Sequence, residues 1–273
     1  MELKAPALPP MNLGLADAAA LMGGEYTGAD ATVLRVTTDS RDIQPGDLFI
    51  ALKGERFDGG AFAAEALAKG AVGVVLDPAQ APGVTAVRVA DTRAALGRLA
   101  AGWRKRFELP VVAVTGSNGK TTVKEMLAAI LRCETGDADA VLATLGNLNN
   151  DIGVPLMLLR LRPQHRYAVF EMGMNHFGEL DYLTALAAPD VALVNNALAA
   201  HIGHFGSVEA IARAKGEIFN GLKPTGMALI NLDDPHAPMW QAQNARRVQI
   251  AFGFNPCAAA RGAWRASDAG GEL

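Results

Sequence analysis

The 273-residue chain has only two cysteines, Cys133 and Cys257, far apart and without the spacing of a metal-ligand pair. That excludes a disulfide framework and fits two reduced thiols. No uninterrupted apolar run is long enough to cross a bilayer, and the first ten residues, Met-Glu-Leu-Lys-Ala-Pro-Ala-Leu-Pro-Pro, hold no apolar stretch behind a basic cluster. Neither membrane insertion nor a secretion signal is therefore expected, and the protein is expected to be cytoplasmic. A basic surplus is missing as well. Lys and Arg number 25 against 28 Asp and Glu, a net charge of −3, which leaves nucleic acid no electrostatic footprint. There is no internal repeat and no Pro/Gly-rich linker. What is abundant is apolar side chain, 50% of residues, enough for a sizeable core and about two domains.

The chain is organised around residues 111–122, Val-Val-Ala-Val-Thr-Gly-Ser-Asn-Gly-Lys-Thr-Thr. Four apolar, mostly β-branched residues predict a buried strand, two glycines a tight turn, and the segment from Lys120 the start of an amphipathic helix. Such a turn cradles phosphate. Gly116 and Gly119 let backbone N–H groups turn inward, the helix N-terminus adds its positive dipole end, and Lys120 adds a full charge. The hydroxyl of Thr121 or Thr122 can hold magnesium. The general nucleotide-loop pattern would place glycine at position 114, where this chain has Val114, so the loop is a tighter variant that begins at Gly116.

Upstream, residues 15–22 predict a short helix closed by Gly23-Gly24, and the alternation at 31–41 a strand running into the polar turn Thr38-Asp-Ser-Arg41. A strand at 46–54, a helix at 61–69 stopped by Gly70, and strands at 71–76 and 84–89 complete a small α/β unit. Its polar turn is the part best suited to bind something, although the same composition serves a plain solvated loop. A helix at 92–107 follows, and the domain boundary is placed near residue 95, giving domains at 1–95 and 96–273. Strands at 111–114, 167–170, 191–194, 227–230 and 248–252 then alternate with helices at 121–132, 180–187 and 207–222. Alternation of this kind predicts an α/β fold with a parallel sheet covered on both faces, and ligands gather at the carboxyl ends of such strands.

Polar groups do converge at those ends. Glu171 directly follows an apolar strand and can ligand magnesium, which beside a nucleotide takes one or two protein carboxylates. His201 lies beyond the next strand, where a lone histidine also serves as a surface or core residue. Lys215, on periodicity alone, is a solvated helix lysine. Asn147, Asn149 and Asn150 form a dense amide loop that can hydrogen-bond a polar substrate, or cap a helix starting near Ile152.

These segments together resemble the Mur ligase family, the ATP-dependent amide-forming enzymes of peptidoglycan precursor synthesis. Thr-Gly-Ser-Asn-Gly-Lys-Thr-Thr at 115–122 matches the short nucleotide loop of that family, which accounts for Val114. Gly-Asn-Leu-Asn-Asn-Asp-Ile-Gly-Val-Pro-Leu at 146–156, Glu-Met-Gly-Met-Asn-His-Phe-Gly-Glu at 171–179, Asn-Asn-Ala-Leu-Ala-Ala-His at 195–201 and Ala-Arg-Ala-Lys-Gly-Glu-Ile-Phe at 212–219 resemble the branch that adds D-alanyl-D-alanine. The 38–41 turn with the 46–54 strand is similar to the uridine-nucleotide-binding domain shared with the diamino-acid-adding branch.

The resemblance implies a small N-terminal α/β substrate domain followed by a P-loop-type, mostly parallel sheet flanked by helices. It implies ATP and Mg2+ as cofactors, and UDP-N-acetylmuramoyl tripeptide and D-alanyl-D-alanine as substrates of a monomer. Gly116, Ser117, Asn118, Gly119, Lys120, Thr121, Thr122 and Asn231 would bind the nucleotide, Lys120 through its β- and γ-phosphates. Thr121, Glu171, His201 and, as a carbamate, Lys215 would hold magnesium, and Lys120, Glu171, His201 and Lys215 form the implied catalytic set. Asn149 and Asn150 would contact the substrate, and Ser40 and Arg41 its uridine diphosphate end. The implied chemistry moves the γ-phosphoryl group of ATP onto a peptide carboxylate, and the dipeptide amine then displaces phosphate. The C-terminal amine-binding domain of the family is expected to be absent and the central sheet incomplete, because the chain stops at Gly-Gly-Glu-Leu after an alanine- and glycine-rich stretch from Asn255. The alternatives are the diamino-acid-adding branch, a folate polyglutamate synthetase, and a catalytically inactive, truncated nucleotide-binding fragment. The 38–41 turn argues against the folate enzyme, and the 147–151 loop favours the dipeptide adder.

Overall fold

The computed structural model describes residues 8–26, 28–54, 57–199, 202–263, 265–267 and 270–272. The chain divides into two compact units, residues 1–108 with 155–163 and residues 109–154 with 164–273.

In the first unit, β1 (Leu13–Gly14) and β2 (Thr32–Val33) form a short antiparallel ladder on either side of α1 (Leu15–Met22). A parallel sheet follows, β3 (Arg35–Thr37), β4 (Asp47–Ile50), β5 (Gly73–Leu76) and β6 (Val87–Arg88), in that spatial order. Every residue of β4 and β5 is buried, the pattern of inner strands covered on both faces. The strand predicted at 31–41 is two pieces, β2 and β3. Helix α2 (Ala63–Ala68) packs on β5, and Phe49, Ala51, Ala63, Ala66, Val74 and Leu76 share one core cluster.

A boundary near residue 95 would cut α3 (Thr92–Arg104). That helix stays whole, because Asp91 caps it by accepting from Arg93 N at 2.8 Å and Ala94 N at 2.9 Å. Its apolar face, Ala95, Leu96, Leu99, Ala100 and Trp103, is buried. Trp103 Nε1 donates to Leu161 O at 3.1 Å, within the returning residues 155–163, so the division falls at 108/109 instead.

The second unit runs β7 (Val111–Thr115), α4 (Lys120–Thr135), β8 (Val141–Ala143) and then α5 (Gly153–Leu158), whose last residues belong to the first unit. It continues with β9 (Tyr167–Glu171), α6 (Glu179–Ala187), β10 (Val191–Val194), α7 (Ile202–Phe205), α8 (Val208–Gly216), β11 (Met227–Asn231), α9 (Ala237–Gln243), β12 (Val248–Gly253) and β13 (Ala260–Arg261). The strands make one sheet, β13-β12-β11-β10-β7-β9-β8, parallel throughout. The strand β13 comes out of the alanine- and glycine-rich stretch. From β7 the chain fills one side of the sheet with β8 and β9, then crosses to the other side with β10. The carboxyl end of β7 is therefore the topological switch point, where sheets of this kind open a crevice. Beneath it Val114, Ala128, Val141, Ala143, Val169 and Leu193 form a core cluster. Among the described residues no helix is long and apolar enough to cross a membrane.

Candidate functional site

The turn from β7 into α4 is held by the segment that follows β10. Gly119 has φ 75°, the left-handed region that favours glycine, and a Cβ there would lie 2.8 Å from Asn195 Nδ2. A Cβ at Gly116 would lie 2.9 Å from the Asn195 side chain. The first intrahelical bond of α4 is Val123 N to Gly119 O at 2.9 Å, so the amides of Lys120, Thr121 and Thr122 have no partner within the helix and can serve an anion. The amides of Ser117 and Asn118 are already used. They donate to Asn196 O and Asn196 Oδ1, each at 3.0 Å. Ser117 Oγ accepts from Leu198 N at 2.8 Å and donates to Leu198 O at 3.0 Å, while Asn118 O accepts from Asn195 Nδ2 at 2.8 Å. The turn is thus latched to residues 195–198, and that segment is anchored in turn by Asn231 Nδ2 on Asn195 O at 2.8 Å and by Ala197 N on Asp234 Oδ2 at 2.7 Å. Asn231 is therefore tied to the latch. The dipeptide Asn195-Asn196 was visible in the sequence as polar residues at a strand end, but its bonding to the turn follows only from β10 lying beside β7.

Lys120 folds back on its own turn, with Nζ 2.8 Å from Gly116 O and 3.4 Å from Ser117 O. Thr121 Oγ1 donates to Glu171 Oε2 at 2.8 Å, and Asn149 Nδ2 donates to Glu171 Oε1 at 2.7 Å. Thr122 is exposed. Glu171 is buried at the end of β9. Asn149, the partner of Glu171, also lines a cavity of about 310 Å³, together with Gly116, Lys120, Asn150, Asn175, Glu179 and Lys215. The helix-capping alternative describes Asn150, whose Oδ1 accepts from Gly153 N at 2.8 Å. Asn149 instead turns its amide to Glu171.

Lys215 is not the solvated lysine that periodicity predicts; it is 4% exposed. The reason is that α8 buries a wide arc, Ala210, Ile211, Ala212, Ala214, Lys215 and Gly216, with Trp240 Nε1 donating to Ala212 O at 3.0 Å. Burial pushes the Lys215 ammonium down to about 7, and the charge of Lys120 adds to the effect. Burial also lowers Lys120, against the opposing pull of Glu171. Two amines facing one small space in this way favour an anionic occupant that relieves both. On the far wall, the loop before α6 is pinned by Glu179, whose Oε2 accepts from Asn175 N at 2.6 Å, and by Glu217, both of whose oxygens lie 2.9 Å from Gly178 N. Burial raises the Glu217 carboxyl above its ordinary range.

The structure thus brings together Lys120, Thr121, Glu171, Asn149, Asn150 and Lys215. His201 lies outside the described residues. Ser40 and Arg41 belong to the first unit. Arg41 is exposed and grips Asp39 with Nε at 2.8 Å and a terminal nitrogen at 2.6 Å, which holds the Asp39 carboxyl down to about 2. Ser40 O accepts from Lys69 Nζ at 3.1 Å. Among the described residues no three His, Cys, Asp or Glu side chains gather as a metal-ligand group. The hard-oxygen pair of Thr121 and Glu171 nonetheless suits a magnesium ion that takes its remaining ligands from phosphate and water.

Residues 32–104 match the model "Mur ligase family, catalytic domain" and residues 114–271 the model "Mur ligase middle domain". The chain is 48% identical over 240 residues to the UDP-N-acetylmuramoyl-tripeptide–D-alanyl-D-alanine ligase of Escherichia coli, covering 88% of this chain and 52% of the relative. The Bacillus subtilis ligase of the same name is 43% identical, covering 73% and 44%. Among solved structures, MurF from Acinetobacter baumannii superposes with a TM-score of 0.81 at 38% identity, over 92% of this chain and 55% of that one. MurF from Thermotoga maritima, determined in complex with ADP, gives 0.75 at 30% identity, over 86% and 53%. The chain spans about half the length of the curated relatives it matches.

Proposed function

Because the chain belongs to the Mur ligase family, we propose that it carries out the ATP-dependent joining of D-alanyl-D-alanine to a UDP-N-acetylmuramoyl tripeptide, a cytoplasmic step of peptidoglycan precursor synthesis, and does so as a monomer. The observation that carries this reading is the convergence of Lys120, Asn149 and Lys215 on one cavity at the switch point of the sheet, beside the Thr121–Glu171 pair.

A carboxylate does not react with an amine, because oxide is a poor leaving group. Transfer of the γ-phosphoryl group of ATP to the tripeptide carboxylate makes an acyl phosphate, the amine of D-alanyl-D-alanine attacks its carbonyl carbon, and phosphate departs as the amide forms. Two anions must approach for the first step, so the largest contribution is electrostatic. In this reading the amides at 120–122 and the Lys120 ammonium hold the β- and γ-phosphates. Thr121 and Glu171 hold magnesium, which when bound supplies further charge neutralisation at the phosphate oxygens. His201 and Lys215 complete the acyl side. A Lys215 amine that is substantially neutral near pH 7 can add CO2 and release a proton, giving a carbamate anion with two ligand oxygens. Asn149 and Asn150 contact the acceptor, Ser40 and Arg41 the uridine diphosphate end, and Asn231 supports the nucleotide through the latch.

Phosphate release measured with the chain, ATP, Mg2+, the UDP-muramoyl tripeptide and D-alanyl-D-alanine tests the proposal. Release that requires both acceptor substrates is expected. Release independent of either, or no release together with no ADP binding, would reject it. ADP binding without release would restrict the function of this chain to nucleotide binding.

A further inference from the structure

Lys124 is 1% exposed and ranks with Trp240 and Phe49 among the largest fully buried side chains. A buried ammonium is costly unless well paired, and an apolar side chain of similar volume often serves stability as well or better. The partners of this one are Glu125, whose side chain is 58% exposed, and Thr144 O, which accepts from Lys124 Nζ at 2.9 Å. Thr144 directly follows β8. Its N–H donates to Val169 O at 3.0 Å, and its Oγ1 accepts from Glu171 N at 2.9 Å. One threonine thus receives the lysine on its carbonyl and holds the Glu171 backbone with its hydroxyl. The carboxylate of Glu171 is gripped at the other end by Thr121 Oγ1 and Asn149 Nδ2. Thr121 and Lys124 are three residues apart and so share a face of α4.

We propose that Lys124 is a positioning residue for Glu171, acting through Thr144, so that the helix carrying the phosphate turn sets both ends of the acid that would face the metal. This rests on the nucleotide-site reading given above. Partners behind a metal ligand orient it and tune affinity, and their loss costs about tenfold or more in metal affinity.

Calorimetric titration of the full chain with ADP at a series of Mg2+ concentrations tests the assignment. In Thr144→Val and Lys124→Met the Mg2+ concentration for half-maximal ADP binding is expected to rise about tenfold, while Thr144→Ser, which keeps the hydroxyl, stays within about twofold of the parent. Where Lys124→Met does not fold, Lys124→Gln is read in its place, and an unchanged Mg2+ dependence in a folded Lys124 variant would overturn the proposal. A melting temperature that falls in Thr144→Val while its Mg2+ dependence stays unchanged would mean a merely structural role and overturn the proposal, as would equal losses in Thr144→Val and Thr144→Ser. A parent chain that binds no ADP at any Mg2+ concentration would overturn the nucleotide-site reading itself.

Discussion

Replacing Lys120 by alanine is expected to lower ATP-dependent phosphate release by two to three orders of magnitude, the scale on which a single preorganised charge-stabilising donor contributes to catalysis. The side chain is half-buried at the mouth of the β7–α4 turn, and its bonds go to Gly116 O and Ser117 O of that same turn. Its removal therefore deprives the core of nothing, and the melting transition should stay close to that of the parent. Lys120→Arg is not expected to restore the rate, because a planar guanidinium fork cannot sit where a compact ammonium does. A second consequence separates an electrostatic role from a steric one. The charge of Lys120 helps to hold Lys215 down, so Lys215 should titrate at higher pH in the alanine variant. A rate loss of less than about tenfold would show that the turn does not act through this residue.

The second large effect has opposite signs in stability and turnover. Burial takes the Lys215 ammonium from 10.5 to about 7, so the fold disfavours its charged form. Between pH 7 and 10.5 the unfolded chain holds a proton there that the folded chain has largely released, and the stability of the parent therefore rises with pH across this window. Below pH 7 the penalty is present in full. Lys215→Met removes it, and in CO2-free buffer at pH 7 should stabilise the fold by on the order of 4 kcal/mol, a gain that fades toward pH 10.5. Chemical denaturation at several pH values measures it. The same variant should lose turnover. In Lys215→Ala, activity should return when a short carboxylic acid is added to take the place of the carbamate; failure of that rescue would remove the carbamate from the mechanism.

Much of this arrangement was legible in the sequence because it depends on local pattern. The apolar run at 111–114 with its glycines, and Glu171 after the apolar run at 167–170, are signals that a parallel sheet turns into neighbours at one edge. Three features were not legible, each for a physical reason. Strand β8 is only Val141–Ala143, too short to show a period, and is recognised by its pairing with β9. Lys215 lies on a helix face whose buried arc is set by what packs on it, so helical spacing alone reads it as solvated. The latch of residues 195–198 on the β7–α4 turn is a contact between segments about 80 positions apart, decided by strand order. The domain boundary failed for the same kind of reason: α3 reads as a connector until residues 155–163 come back to receive Trp103.

That the carboxyl end of β7 is a nucleotide site is tested by a crystal structure of the chain with ADP and Mg2+. The β-phosphate is expected on the amides of residues 120–122, with Lys120 Nζ drawn off Gly116 O onto phosphate oxygen and the Thr121–Glu171 hydrogen bond opened around a cation. Nucleotide bound elsewhere, or bound here with Lys120 still on Gly116 O and Thr121 still on Glu171, would contradict it.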